Sequence, residues 1–139
     1  MSYFPKGTPQ PQANPDDQQY WNFLARRELR IQRCVKCGRF RHPPMPFCGR
    51  CGSGETEWAA VPGTGSVFSY TIVHHAAHPA LKDSVPYNIA VVHLDGADDV
   101  RLVSNILDAK PEEMKVGLRV VLAWDDNGEG TALPRFRKA

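Results

Sequence analysis

The sequence has little excess charge, no long apolar run and few cysteines, and these shortages exclude several classes of protein. Its 139 residues carry 17 Lys and Arg against 15 Asp and Glu, a formal net charge of +2. That balance is too even for a protein that holds nucleic acid or an anionic membrane by bulk electrostatics. No apolar stretch approaches the roughly 20 residues of a membrane-spanning helix, and large catalytic barrels need roughly 200 residues or more. We expect a soluble protein of one domain, or of a small module joined to a larger one.

The first 14 residues are rich in proline and glutamine and have no apolar core. A secretory signal peptide needs such a core, so we do not expect one here. Segments of this composition bury too little apolar surface to order themselves. We therefore predict a flexible arm over residues 1–14 and a cytoplasmic location for the protein.

A helix is predicted over residues 15–29. Asn14 can cap it, Pro15 suits its first turn, and Asp16 and Asp17 complement the positive end of the helix dipole. A stripe of apolar side chains with helical spacing then follows, larger than such a short helix needs: Tyr20, Trp21, Phe23 and Leu24. This stripe suits either packing on the body of the chain or docking onto a partner protein.

Beyond residue 29 the apolar pattern changes to the period of two that is typical of strands. Turn-forming segments such as Asp95 to Asp99 and Asp125 to Gly128 separate the apolar runs, and Lys110 to Lys115 can hold one helical turn. Several strands with turns and no strong helix between them predict a small closed β-barrel. The predicted strands lie at residues 29–34, 57–61, 65–75, 87–94, 100–107 and 119–124, with a short piece near Phe136.

All four cysteines stand in two matched pairs, Cys34-x2-Cys37 and Cys48-x2-Cys51. A two-residue gap lets a tight turn aim both sulfurs at one ion, and each pair is followed by a glycine that suits such a turn. Four thiolates favour zinc, with iron as the alternative. Four protein ligands leave no open position on the ion, so we predict a structural Zn²⁺ site and no free thiol for a nucleophile.

The remaining chemistry-bearing residues form no recognisable catalytic arrangement. His74, His75 and His78 cluster after the longest strand, but neighbouring strand residues point to opposite faces and no acidic residue adjoins them. The segment Gly63 to Ser66 lacks the lysine and helix of a phosphate loop, and favours a sharp entry to the barrel. We predict no catalytic residue and do not expect catalysis by the chain alone; an enzyme built on the histidines is the competing hypothesis.

Basic residues concentrate in the region of the helix and the cysteines. Such a surface could bind nucleic acid or the phosphates and adenine of a coenzyme A thioester. The alternative is a solvated basic face that binds no ligand. The residues concerned are Arg26, Arg27, Arg30, Arg33, Lys36, Arg39, Arg41 and Arg50, with Arg135, Arg137 and Lys138 near the C-terminus.

The order of these parts resembles the family catalogued as domain of unknown function 35. Residues 30–38, Pro43-Pro44 and residues 48–53 are similar to its rubredoxin-like zinc ribbon, with the four cysteines as the most specific part. Residues 57–58, 63–67 and 86–92 resemble its ribbon-to-barrel link and early OB-fold strands. Residues 116–120 and 134–136 resemble its closing elements, so the resemblance spans residues 15–137.

The resemblance implies a mainly β protein: an N-terminal helical segment over residues 15–29, a rubredoxin-like zinc ribbon over 30–56 and a C-terminal OB-fold β-barrel over 57–139. It also implies a zinc-binding accessory subunit of a heteromeric enzyme that acts on acyl-CoA thioesters. The partner subunit would be a thiolase-like acyltransferase, a retro-aldolase or a hydratase-like protein. Some enzymes of this kind degrade steroid side chains. A CoA thioester would lie at the shared interface, and the partner would contact Tyr20, Trp21, Phe23 and Leu24. A nucleic-acid-binding OB-fold and zinc-ribbon module is the alternative.

Overall fold

The structure, a computed structural model, describes residues 2–126 and 131–139. Asn127 and Gly128 of the predicted turn at residues 125–128, and Met1 of the predicted arm, lie outside the described residues. The predicted mainly β fold with one short N-terminal helix is confirmed. The elements are α1 (Gln18–Ala25), β1 (Arg30–Cys34), β2 (Phe40–Arg41), β3 (Thr56–Ala60), β4 (Thr64–Val73), β5 (Tyr87–Leu94), β6 (Arg101–Ser104), β7 (Arg119–Asp126) and β8 (Ala132–Lys138), with 3-10 turns at Pro79–Leu81 and Pro111–Glu113.

Helix α1 is shorter than the predicted segment of residues 15–29. The Asn14 side-chain oxygen accepts hydrogen bonds from the backbone N–H groups of Asp16 and Asp17, at 2.9 and 3.1 Å. Asn14 and its acidic neighbours therefore form a separate turn upstream, and the helix begins only at Gln18. It ends before Arg27, whose φ of 57° turns the chain towards β1.

The arm contains no helix or strand within residues 2–14. Its start nevertheless contacts the barrel: the Tyr3 N–H donates to Asp125 Oδ1 at 3.1 Å, and the Phe4 ring meets the Tyr87 ring edge-on at 4.9 Å. The flexibility predicted for residues 1–14 stays a prediction.

The first sheet is an antiparallel ribbon in the order β2-β1-β3. Its central residue Gln32 faces Arg41 on one side and Trp58 on the other. The predicted boundary between residues 56 and 57 cuts β3, which completes this ribbon before the chain enters the barrel.

The second sheet is an antiparallel barrel in the order β6-β5-β4-β7-β8. A parallel bridge between Ile106, just after β6, and Phe136 of β8 closes it, so the two edges of the sheet meet, as in an OB-fold. Alternate residues of β5 point inward, with buried Ala90, Val92 and Leu94 in the core. The bounds of β5 are those predicted from the sequence, residues 87–94.

One hydrophobic core joins the helix, the ribbon and the barrel. Leu24 of α1 and Ile31 of β1 are fully buried in the same cluster as Val92 and Phe136 of the barrel. Burial of this shared apolar surface stabilises the ribbon against the barrel. No helix within the described residues is long and apolar enough to cross a membrane.

Asp98 ties the ribbon edge to the barrel. Its Oδ2 accepts a hydrogen bond of 3.0 Å from the Phe40 N–H, and its carbonyl oxygen lies 2.8 Å from His93 Nε2. The φ of Asp98 is 51°, a left-handed conformation that Asp and Asn tolerate better than other side chains.

Replacing Asp98 by alanine should lower the free energy of unfolding by about 2 kcal/mol, since both the acceptor and the tolerance for positive φ are lost. Thermal melting measures this loss, and hydrogen exchange of the Phe40 amide locates it. Asp98→Asn keeps an acceptor oxygen and should lose less. Asp98→Gly keeps the backbone conformation but lacks the acceptor; unchanged protection of the Phe40 amide in that variant would show that the side chain does not join the two units.

Candidate metal centre and surrounding surface

The four cysteine sulfurs converge at one end of the ribbon. The Cys34 and Cys51 sulfurs are 3.6 Å apart, as are those of Cys37 and Cys48. All four sulfurs lie within 4.8 Å of one another. A disulfide needs about 2.05 Å between sulfurs, so these spacings are not those of disulfide bonds.

Two similar backbone turns position the cysteine pairs. The Cys34 N–H donates to the Arg39 carbonyl at 2.8 Å, and the Cys48 N–H donates to the Ser53 carbonyl at 2.8 Å. The glycine that follows each pair has a positive φ, of 75° in the first and 77° in the second. The glycines predicted to allow these turns therefore adopt the conformation that only glycine adopts without strain.

The backbone of these turns favours thiolates, while the sulfurs disfavour one another's charge. Hydrogen bonds from the amides of Cys51 and Arg50 lower the pKa of Cys48 to about 6. At Cys51 the Ser53 amide favours the thiolate, but desolvation and the neighbouring sulfurs outweigh it and raise the pKa to about 11. A bound divalent cation removes this conflict, because it stabilises all four thiolates together.

The cluster fits a tetrahedral zinc ion. With Zn–S bonds of about 2.3 Å, a regular tetrahedron places its sulfurs about 3.8 Å apart, close to the two shortest separations. Cys34 and Cys48 are buried, whereas Cys51 lies at the surface, so the ion would be close to solvent but enclosed by protein ligands. Four protein ligands complete a structural site.

The four predicted interface residues divide into two buried and two half-buried side chains. Tyr20 and Leu24 are 6% and 0% exposed within the chain's own core, which leaves them little surface for a partner. Trp21 is half-buried at the edge of this core. Phe23 is also half-buried: its ring centre lies 5.8 Å from that of Trp58. Trp21 and Phe23 are therefore the members of the stripe that a partner can reach.

Several exposed apolar residues lie elsewhere and were not predicted as interface residues. Val103 of β6 is 73% exposed, and Phe47 beside the second cysteine pair is 64% exposed. Phe68 of β4 is 49% exposed, with the Arg101 guanidinium 3.8 Å above its ring centre. The alternation of β6 could have predicted the exposure of Val103, because this residue lies between the buried Leu102 and Ser104 on the opposite face of the strand.

The histidine cluster does not converge on a common point. His74 and His75 are exposed, whereas His78 Nδ1 accepts a hydrogen bond of 3.1 Å from the Ala80 N–H and caps a 3-10 turn. Its position therefore suits the predicted strand-end loop.

The basic residues fall into two groups. Members of the first group form ion pairs, such as Arg135 with the buried Asp125 at 3.3 Å and Arg33 with Glu57 at 3.3 Å. The second group has no acidic partner within the described residues, and its members on the ribbon and β6 are Lys36, Arg39, Arg41, Arg50 and Arg101. Arg137 of β8 also has no acidic partner within the described residues.

Two family descriptions match successive parts of the chain. Residues 21–57 match the domain described as "ChsH2, rubredoxin-like zinc ribbon domain". Residues 58–125 match "ChsH2, C-terminal OB-fold domain". The predicted zinc ribbon, OB-fold and structural Zn²⁺ site are thereby confirmed.

Three curated relatives are similar over most of this chain. A "probable enoyl-CoA hydratase alpha subunit" of Thermomonospora curvata is 39% identical over 94% of this chain and 40% of its own length. A "3-oxo-4,17-pregnadiene-20-carboxyl-CoA hydratase alpha subunit" of Mycobacterium tuberculosis is 32% identical over 88% of this chain and 38% of its own. A "DUF35 domain-containing scaffold protein" of Methanocaldococcus jannaschii is 32% identical over 72% and 70%, respectively. The chain thus spans about two fifths of the length of the first two relatives.

Two solved structures share the fold. A chain of the "Ltp2-ChsH2(DUF35) aldolase" superposes with a TM-score of 0.84 at 38% identity, over 93% of this chain and 98% of that one. A DUF35-family protein of unknown function from Sulfolobus solfataricus superposes with a TM-score of 0.63 at 20% identity, over 91% and 87%. The second likeness bears on the fold alone.

Proposed function

Because the chain belongs to the DUF35 family, with the zinc ribbon and OB-fold of ChsH2, we propose that it is an accessory subunit of a heteromeric enzyme acting on acyl-CoA thioesters. The observation that carries this proposal is its likeness, over nearly the whole length, to a chain of an aldolase described by two components. The partner we propose is a thiolase-like acyltransferase or retro-aldolase. A hydratase-like partner is the variant suggested by two of the relatives.

The metal site supports a scaffolding role. A four-cysteine site of this geometry holds the ribbon in shape and leaves no position on the ion for a substrate. The ribbon in turn supports α1, because Leu24 packs in the same buried cluster as Ile31 of β1. We infer that the zinc ion acts at a distance, by fixing the surface that the partner contacts.

Trp21 and Phe23 are the proposed contacts of that surface. Both are aromatic and half-buried, and the guanidinium groups of Arg26 and Arg30 lie 4.8 and 5.3 Å from the Phe23 ring centre. Tryptophan and arginine side chains of this kind are common energetic centres of protein interfaces. Phe47 of the ribbon is a further exposed apolar side chain that a partner could contact.

The CoA thioester is proposed to lie where this chain and its partner meet. Arg39 of the ribbon and Arg101 of β6 have no acidic partner within the described residues, so their guanidinium groups are available as donors to the phosphate oxygens of CoA. A steroid acyl group is suggested by the name of the M. tuberculosis relative. The thiol chemistry of the site also supports a cytoplasmic location, since a reducing compartment keeps all four cysteines free for the ion.

Affinity purification of the zinc-loaded chain from its native cells tests the proposal. We expect a thiolase-fold or hydratase-fold polypeptide to copurify, and the pair to act on a CoA thioester that the partner alone turns over more slowly. Purification without such a partner, together with micromolar and salt-sensitive binding to single-stranded oligonucleotides, would instead support the nucleic-acid-binding alternative.

Replacing Trp21 and Phe23 together by alanine should weaken association with the copurifying partner by about 10- to 100-fold, since each removes an aromatic contact. The dissociation constant can be measured by calorimetry with the purified partner. Val116→Ala, at a position 67% exposed and outside the stripe, is the control. Equal affinity of the double variant and the control, with zinc content and melting temperature preserved, would remove these residues from the interface.

A further inference from the structure

Strand β4 has a neighbouring strand on both sides only in its first half. Residues 64–66 pair with both β5 and β7, whereas residues 69–73 pair with β5 alone. An irregularity in the register between Val67 and Ser69 separates the two halves. A bulge of this kind bends a strand, so the pairing with β7 ends where β4 changes direction. Residues 69–73 therefore form an edge of the sheet, the β4 edge.

The pairing pattern shows which backbone groups lie along the β4 edge. In an antiparallel ladder, successive residues direct their N–H and C=O groups alternately to the strands on either side. The Asp95 N–H, just after β5, donates to the carbonyl of the first residue of β4 at 3.0 Å. Odd-numbered residues of β5 therefore bond to β4, among them Ile89, the partner of Thr71. Tyr70 and Ile72, on either side of Thr71, direct their backbone groups away from β5.

These outward groups of Tyr70 and Ile72 have no hydrogen-bond partner among residues 2–126 and 131–139. Buried backbone groups are almost always paired, so groups left open in this way face water. Tyr70 is 39% exposed, and Thr71 is exposed beside it. A further extended chain presents donors and acceptors at the matching spacing of alternate residues. The backbone of the β4 edge therefore fits another strand.

Three other strand edges carry features that block pairing with a further chain. The Arg30 guanidinium donates to the Trp58 carbonyl of β3 at 3.3 Å, Asp98 accepts the first N–H of β2, and β6 carries the exposed Arg101. By contrast, Thr64–Val73 contains no charged side chain and no proline. Uncharged segments rich in β-branched and aromatic residues favour strand pairing. The β4 edge is therefore open both in its backbone and in its side chains.

We propose that the β4 edge pairs with the same edge of a second copy of this chain, antiparallel and about a twofold axis at Thr71. In this register the outward groups of Tyr70 in each copy bond to those of Ile72 in the other. Each of these pairs joins an aromatic to a β-branched side chain, and Thr71 meets its own counterpart. Both combinations are favourable across strands, and no like charges are brought together. The edge is thus complementary to itself, as a twofold interface requires.

The proposed dimer does not depend on the partner enzyme proposed above. Its contacts belong to β4, whereas α1 packs on β1 and β8. Two copies joined in this way would extend the barrel sheet across the axis.

Sedimentation equilibrium of the zinc-loaded full chain tests the proposal. We expect a reversible monomer–dimer equilibrium with a dissociation constant of about 10–100 µM, because one strand from each copy makes a small interface. Hydrogen exchange should show the amides of Tyr70 and Ile72 becoming protected in the dimer, while the Thr71 amide is protected throughout by its bond to β5. A chain that stays monomeric up to about 1 mM overturns the proposal. So does a dimer in which the amides of Tyr70 and Ile72 stay unprotected.

Two substitutions at the exposed Thr71 test the position of the axis. Thr71→Lys sets two like charges side by side and should weaken dimerisation by about tenfold or more. Thr71→Cys sets two thiols on the axis, where Cα atoms about 4.5 Å apart suit a disulfide. Glutathione disulfide, which is reduced as the two thiols are oxidised, should then link the zinc-loaded copies covalently.

Val103, 73% exposed on β6, provides the matched controls. Val103→Lys should dimerise like the parent chain, and Val103→Cys should give far less of the linked species. If Thr71→Lys dimerises as tightly as Val103→Lys, with zinc content and melting temperature preserved, the interface lies elsewhere and the proposal fails. Linkage of Thr71→Cys to a copurifying partner subunit, and not to a second copy, would show that the partner fills this edge and would equally overturn the proposal.

Discussion

Replacing Cys34 by serine is expected to release the zinc ion and unfold the ribbon. Zinc bound by structural sites of this kind contributes about 10 kcal/mol or more of apparent binding free energy, coupled to local folding. The Cys34 side chain is fully buried, and its sulfur also accepts the Cys37 N–H at 3.5 Å. A serine hydroxyl is a poor substitute because zinc prefers the softer thiolate.

The loss should spread from the metal site to the helix. The Cys34 backbone ends β1, and the fully buried Ile31 of the same strand packs in the shared core with Leu24. We therefore expect the variant to lose the zinc ribbon first and to leave a barrel of lowered stability. Metal content by mass spectrometry, together with thermal melting followed by circular dichroism, measures both effects.

A neighbouring substitution provides the control for this experiment. Val35→Ser changes an exposed residue next to Cys34 without touching a ligand and should keep a full complement of metal. Both zinc and iron accept four thiolates, so the cysteines alone do not distinguish them. Metal analysis of the parent chain makes this distinction. A Cys34→Ser protein with stoichiometric metal and unchanged melting would contradict a structural role for this site.

Local patterns predicted the metal site and most strands. The spacing of each cysteine pair is a property of one tight turn, so the converging sulfurs followed from the sequence without knowledge of distant contacts. Strand β5 was predicted at residues 87–94 and is Tyr87–Leu94, because one buried face gives it a strict alternation. Prediction was therefore most accurate where neighbours in sequence determine the geometry.

Long-range contacts explain what the sequence did not show. Tyr20 and Leu24 belong to the same stripe as Trp21 and Phe23, and only the folded core shows which pair is covered. Strand β3 was assigned to the barrel, but its partner is β1, which lies more than 20 residues earlier in the chain. An open cavity between α1, the ribbon and the barrel is likewise lined by side chains from separate segments.

Asn88 is a further residue that sequence reasoning did not single out, and its role lies in barrel closure. Its Nδ2 donates to the Ile106 carbonyl at 2.9 Å, and its Oδ1 accepts from the Ile106 N–H at 2.8 Å. Ile106 then bridges Phe136 of β8, which closes the barrel between the end of β6 and β8. A single buried amide thus satisfies both backbone groups of the residue that forms the seam.

Replacing Asn88 by alanine should lower the free energy of unfolding by about 3–5 kcal/mol. Two hydrogen bonds are lost, and the fully buried Ile106 keeps an N–H and a carbonyl without partners, each costing about 1–3 kcal/mol. Urea denaturation measures the loss, and faster hydrogen exchange at the amides of Ile106 and Leu107 places it at the seam.

Two further variants show whether the paired geometry of Asn88 matters. Asn88→Asp keeps an acceptor for the Ile106 N–H but sets a carboxylate against the Ile106 carbonyl, so it should be destabilised nearly as much as the alanine variant. Ser104→Ala removes one bond, from its Oγ to the Pro134 carbonyl at 2.8 Å, and should cost only about 1 kcal/mol. If Ser104→Ala were as damaging as Asn88→Ala, the seam would depend on general packing between β6 and β8. A selective loss at Asn88 would show that the polar clamp on Ile106 holds the barrel closed.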